Sequence, residues 1–311
     1  MRGNLVLAFA LASAAPPAFA ATAARPGYGV LLLAHGGGPG WNAEVEALRS
    51  GAEASVPADL ALGMADPRSL QRGIDRLEAR GVSLIVAVPL FVNSHSEIMD
   101  QTRYVLGLSE KPSEALRRAA DRMKSAPMPS RAAGHHHMSL FSLDRAAHRA
   151  RILLAPALDD DPFVSRVLLE RARALSREPA KETVILVAHG PVDDDAVPYW
   201  DRDLSAHAAR IAKAGGFRAA RTALLRDDAA PGVRARAVAE LRARVSDAAR
   251  DGGRAIVVPV LISRGGIEGK IPRDLAGLTF AWSGEALLPH EGFDRWALKR
   301  ARETAAFPRQ R

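Results

Sequence analysis

The chain contains no cysteine, so neither a disulfide framework nor a thiolate metal ligand is open to it. Aromatic residues are only 5% of its 311 residues, and the core must be built mostly from Ala, Val, Leu and Ile. No serine lies between glycines as G-x-S-x-G, so the nucleophile elbow of an α/β-hydrolase is missing. No P-loop or G-x-G-x-x-G follows a strand, so neither ATP nor any other nucleotide is expected as cofactor. Beyond the N-terminus no apolar run is long enough to cross a bilayer, and no stable membrane insertion is expected. Basic residues outnumber acidic ones, 43 to 35, without forming a basic tail. That balance favours an anionic partner such as nucleic acid, anionic lipid or a polycarboxylate small molecule, and the spread of charge without a tail counts against nucleic acid.

What is present begins with Arg2, an apolar run from Leu5 to Ala14, and Ala18-Phe19-Ala20. This order describes a signal peptide over residues 1–20, cut near Ala20, and an exported, periplasmic location. The remaining length suits two domains. Val30-Leu-Leu-Leu-Ala-His-Gly36 recurs as Val184-Ile-Leu-Val-Ala-His-Gly190. Val86-Ala-Val-Pro-Leu-Phe91 recurs in kind as Ile256-Val-Val-Pro-Val-Leu261. The segment from Ala157 to Arg173 recurs from Ala286 to Arg302. Three blocks in the same order indicate duplicated lobes, 27–178 and 181–306.

Within each half, near-continuous apolar runs alternate with amphipathic stretches. The first half reads as strands 29–34, 58–64, 83–91 and 150–156 with helices 42–55, 67–80, 97–106 and 162–177. The second reads as strands 183–188, 217–225, 254–262 and 278–284 with helices 200–214, 232–250, 267–276 and 292–305. The expectation is an α/β fold of two similar lobes, each a small parallel four-stranded sheet with helices on both faces. Ligands then bind at the carboxyl edges of the strands. An excess segment at about 108–149, containing His135-His136-His137-Met138, reads as a partly helical surface insertion.

Chemistry concentrates in the loops at that edge. His35 and His189 each end a first strand and precede a glycine. Pro89-Leu-Phe-Val-Asn-Ser-His95-Ser-Glu97 sets an imidazole and a carboxylate beyond the third strand. The matching loop of the second half has Gly265 in place of His95, with Glu268 as its carboxylate. Either carboxylate alternatively serves only its helix dipole. Imidazole and carboxylate suit divalent cobalt, iron, nickel or zinc. Imidazole, with an unperturbed pKa of ~6.5, also accepts protons near neutrality. His35, His95, His189 and Glu268 are the candidate metal ligands. His35, His95 and Glu97 are the candidate catalytic groups, and Gly36, Gly37, Trp41, Asn93 and Ser94 line the expected substrate face. Trp41 and Trp200 follow the two loops and suit either a flat pocket wall or core packing. Asp159-Asp160-Asp161 reads as a cap for the helix starting at Pro162. Asp193-Asp194-Asp195 reads as an acidic loop, and His148, His207 and His290 show no partner in the sequence.

The stretches 31–48, 62–80, 86–97 and 152–172 resemble the sirohydrochlorin chelatases, class II cobalt and iron chelatases related to ferrochelatase. The second half fits more loosely. The resemblance implies a lyase that inserts Co2+, Fe2+ or Ni2+, the metal being a substrate, into a tetrapyrrole held between the lobes. It implies His35 and His95 as the principal pair, and by way of ferrochelatase it also points to His189 and Glu268. In the commoner pattern the second-loop histidine lies two residues later and precedes Asp-Ile-Pro, which this chain lacks. An exported protein that binds metal or tetrapyrrole without turnover is the alternative. An α/β-hydrolase, suggested by His35-Gly-Gly-Gly-Pro-Gly40 but lacking the serine elbow, is the remote alternative.

Overall fold

Seven strands and nine α-helices alternate along the residues described by this computed structural model, 27–125 and 144–307. The segment read as an export signal and His135–Met138 lie outside the described residues. In the first half β1 (Gly29–Ala34), β2 (Ala58–Leu62), β3 (Leu84–Pro89) and β4 (Arg151–Leu154) form a parallel sheet of order β2-β1-β3-β4. In the second, β5 (Glu182–Ala188), β6 (Ala219–Leu224) and β7 (Arg254–Val260) form a parallel sheet of order β6-β5-β7.

The expected fourth strand of the second half is the one departure. Residues 278–284 reach the sheet only at Ala281, which accepts from Val257 N–H at 3.0 Å and donates to Ala255 carbonyl at 2.8 Å. Gly277 and Gly284, both at positive φ, turn the chain away on either side. The second lobe therefore has three strands and a bridge.

Proline and its preceding cap set the helix starts. α1 (Pro39–Glu53), α2 (Pro67–Ala79), α5 (Pro162–Leu175) and α7 (Pro231–Ala248) all open on proline, whose missing N–H costs nothing at that position. Asp66 caps α2 by accepting from Ser69 N–H at 2.9 Å, and Asp161 caps α5 by accepting from Phe163 N–H at 2.8 Å. The remaining helices are α3 (Glu97–Val105), α4 (Glu114–Ser125), α6 (Val197–Gly215), α8 (Ile267–Asp274) and α9 (Phe293–Ala306). α4 is the helical part of the insertion.

Alternation along the strands builds three cores. Val30, Leu32 and Ala34 of β1 and Val184, Leu186 and Ala188 of β5 face a shared central core with α1, α5, α6 and α9. Leu31 and Leu33 face an outer core with α2 and α3, and Ile185 and Val187 another with α7 and α8. The two sheets thus sandwich one layer of helices, and both faces of each sheet are covered.

The last helix of each half crosses to the other sheet. α5 packs on β7 and α6, whereas α9 packs on β3, β4 and α1. The duplicated arginines fasten this exchange. Arg171 on α5 donates to the carbonyls of Ala286, Leu287 and Pro289 ahead of α9. Arg300 on α9 donates to Asp161 at 2.6 Å ahead of α5, joined there by Trp296 Nε1 at 3.1 Å.

Candidate functional site between the two carboxyl edges

His35 leaves β1 through Gly36 at φ +79, and His189 leaves β5 through Gly190 at φ +80. In each loop the imidazole Nδ1 donates to the carbonyl of the following glycine at 2.6 Å. Gly37 is held by Asn42, whose side-chain oxygen accepts its N–H at 2.9 Å. A Cβ on Gly37 would meet the Trp41 ring at 3.0 Å, so that glycine admits Trp41 against the loop. Trp41 is buried and turns its ring edgewise to His35, with centroids 6.5 Å apart.

Asp228 faces the second of these loops. His189 Nε2 lies 2.9 Å from its carboxylate. The hydrogen bond from His189 holds the Asp228 carboxyl below the usual range. Burial opposes a charge on His189, but Asp228 outweighs it and leaves the imidazole pKa raised. Both nitrogens of His189 therefore donate, which describes an imidazolium paired with a carboxylate. On His35, Nδ1 is spent on Gly36, Nε2 has no hydrogen-bond partner among the described residues, and the residue is exposed. Sequence reasoning missed Asp228 because nothing repeats it: the loop Leu224–Pro231 is two residues longer than its counterpart Leu62–Pro67. An acidic residue beyond a second strand was the available signal.

His95 sits in a second group, beyond β3, the neighbour of β1. Its ring stacks on Tyr199 from α6, centroids 3.7 Å apart and planes within 7°. Its N–H donates to Asn93 Oδ1 at 2.8 Å, and its carbonyl accepts from Trp200 Nε1 at 2.8 Å. Partial burial, with Arg202 and Arg103 assisting and Asp159 and Asp203 opposing, holds its pKa below the ordinary value. His35 neighbours Trp41, and His95 neighbours Tyr199.

Several of the candidate residues hold their own loops together. Asn93 is buried, and its amide is spent on Asp203 at 2.8 Å and on His95 N–H. Ser94 is engaged by Asp159 through both N–H and hydroxyl, at 2.6 and 2.7 Å. Glu268 folds back on its own loop to accept from Gly265 N–H at 3.1 Å and Gly266 N–H at 2.8 Å, in the first turn of α8. Glu97 likewise opens α3. Among the described residues no three imidazole or carboxylate groups stand close enough to hold a metal by themselves.

The other sequence candidates resolve similarly. His148 contacts the Ala150 carbonyl, His207 the Ser165 hydroxyl and Asp159 carbonyl, and His290 the Glu170 carboxylate. Asp193 and Asp195 pair with Arg118 of α4 at 2.9 and 3.3 Å, tying the insertion to the loop after His189, while Asp194 pairs with Arg226. A groove of about 870 Å3, lined by Arg49, Asp59, Arg72, Arg76 and Arg80, runs beside the edge strand β2 and not at the histidine loops.

No family profile and no curated protein sequence matches the chain. Solved structures do match. SirB from Bacillus subtilis with Fe3+ aligns with a TM-score of 0.59 at 18% identity, over 90% of this chain and 96% of that one. The sirohydrochlorin chelatase SirB from Bacillus subtilis subspecies spizizenii, in complex with cobalt, aligns at 0.57 and 17%, over 90% and 96%. The chain thus has the two-lobed α/β fold of these chelatases.

Proposed function

We propose that this chain inserts a divalent metal, cobalt, iron or nickel, into a sirohydrochlorin-type tetrapyrrole without ATP. The observation that carries the reading is the pair of matching His-Gly loops, one from each lobe, the second of which sets His189 against Asp228 at 2.9 Å. The likeness to SirB holding Fe3+ and cobalt supports it. The reaction exchanges two pyrrole N–H protons for one M2+, so the site must bind a cation and take up protons. His35, exposed and with no hydrogen-bond partner for Nε2 among the described residues, binds the incoming metal. The ring nitrogens of His95 have no hydrogen-bond partner among the described residues, and this imidazole serves as second ligand from the neighbouring strand. The Asp228 carboxylate, 69% exposed and paired with the His189 imidazolium, accepts each pyrrole proton in turn and passes it to solvent before taking the next. Arginines around the cleft steer the carboxylates of the substrate.

The test is an optical assay of sirohydrochlorin with Co2+, Fe2+ or Ni2+, the macrocycle in excess over protein. Turnover well beyond one equivalent is expected for at least one metal. His35→Ala and His189→Ala should each slow it by about 10²-fold, the usual worth of a positioned acid–base group. Saturation at one equivalent would instead identify a carrier of metal or tetrapyrrole.

A further inference from the structure

The lobes grip one another through two matching clasps. In one, Trp200 Nε1 and Asp203 of α6 hold the loop after β3: Trp200 on the His95 carbonyl, Asp203 on Asn93. In the other, Trp41 and Glu44 of α1 hold the loop after β7: Glu44 on the Ser263 hydroxyl, and Trp41 beside Gly265, where an added Cβ would lie 3.6 Å from its ring. The spacings coincide. Each tryptophan precedes its carboxylate by three, and the gripped positions stand four and six residues beyond the repeated Pro89 and Pro259.

Against this shared frame the clasps differ at one pair of positions. Where the first clasp holds His95, the second holds Gly265. Where the first has Tyr199 before its tryptophan, the second has Gly40. A Cβ at Gly40 would meet nothing within 4 Å, so space does not forbid a side chain there. The grip therefore forms without an aromatic ring before its tryptophan, and the ring occurs where the imidazole occurs. Tyr199 is 41% exposed and lies in the first turn of α6, a place where a buried core contact does not account for it.

We infer that Tyr199, supplied by the second lobe, is a positioning residue for His95 of the first, fixing the plane of the imidazole while Trp200 and the Asp203–Asn93 pair fix its backbone. The inference rests on His95 acting in the reaction proposed above. It also identifies the first-lobe loop as the working copy, since its mirror keeps the grip and lacks both rings. A ring held in one plane keeps its lone pair aimed, and small misplacements of such a group cost large factors in rate.

The test uses the full chain with Tyr199→Phe, Tyr199→Leu and Tyr199→Gly, the last copying the ringless clasp. Two readouts are taken. Carbethoxylation of each histidine by diethyl pyrocarbonate, mapped by mass spectrometry, needs no assumption about function. The rate at His95 should rise severalfold in the Leu and Gly variants and stay at the wild-type value in Phe, with His148 and His290 unchanged as folding controls. Steady-state metal insertion should show kcat lowered by about tenfold or more in Leu and Gly at unchanged KM for the macrocycle, restored by Phe. An unchanged His95 rate in Leu and Gly, or a Phe variant as altered as Leu, would overturn the positioning role. Absence of turnover in wild type, with His95 still released by Leu and Gly, would instead overturn the proposed reaction and leave the positioning role standing.

Discussion

A single carboxylate, Asp228, converts His189 from a loop histidine into a charged one. The pKa of His189 is raised in the folded protein, so the pair contributes stability that is fully present below the ordinary histidine range and fades as pH rises through the raised value. Asp228→Asn removes the charge and keeps the shape. Titration of His189 by NMR should then show its pKa falling towards the ordinary value, and insertion should slow by about tenfold or more. An unmoved His189 pKa would show that the carboxylate is not its partner in solution. Gly36 makes a separate demand. Its φ of +79 penalises any Cβ, so Gly36→Ala should cost about 1–2 kcal/mol in urea unfolding and displace His35. A neutral substitution there would show that the turn relaxes to negative φ.

Among the elements, α6 links several parts of the site. It supplies Tyr199, Trp200 and Asp203 to the His95 loop and, two turns on, His207 to the α5 junction. His207 Nε2 donates to the Asp159 carbonyl at 2.8 Å, and Nδ1 accepts from the Ser165 hydroxyl at 2.7 Å, so the ring is neutral. Burial lowers its pKa, Arg210 adding and Asp160 and Asp203 opposing. A depressed histidine gives stability that is present above the ordinary range and lost as pH falls through the depressed value. The urea midpoint should therefore decline below about pH 6.5, and decline less in His207→Gln. An identical pH profile in that variant would contradict the role. Most elements were legible in the sequence, because apolar runs, caps and prolines are local signals. Residues 278–284 misled because their apolar run is flanked by Gly277 and Gly284, whose turns outweigh strand propensity. Tyr199 was illegible for another reason: a tyrosine in a helical first turn reads as surface, and only the fold brings it against a ring 104 residues away.

For the whole molecule, the crossing of α5 and α9 makes each lobe incomplete without the other. The repeat announced two lobes, but an apolar helix face does not say which sheet it covers, and the exchange emerges only from the packing. The shared core and the Arg171 and Arg300 fastenings give the lobes one fate. Calorimetry should show a single transition whose calorimetric and van't Hoff enthalpies agree. Two separable transitions would mean that each lobe folds alone.

That His35 and His95 share one cation site is open to direct measurement. Co2+ binding by calorimetry in wild type, His35→Ala, His95→Ala and the double variant forms a thermodynamic cycle across the two loops. If both histidines serve one site, each single change weakens binding and the double loses little more than either, giving a coupling within about 0.5–3 kcal/mol. Losses that simply add, or no loss in either single variant, would show that the two loops do not act together on a metal.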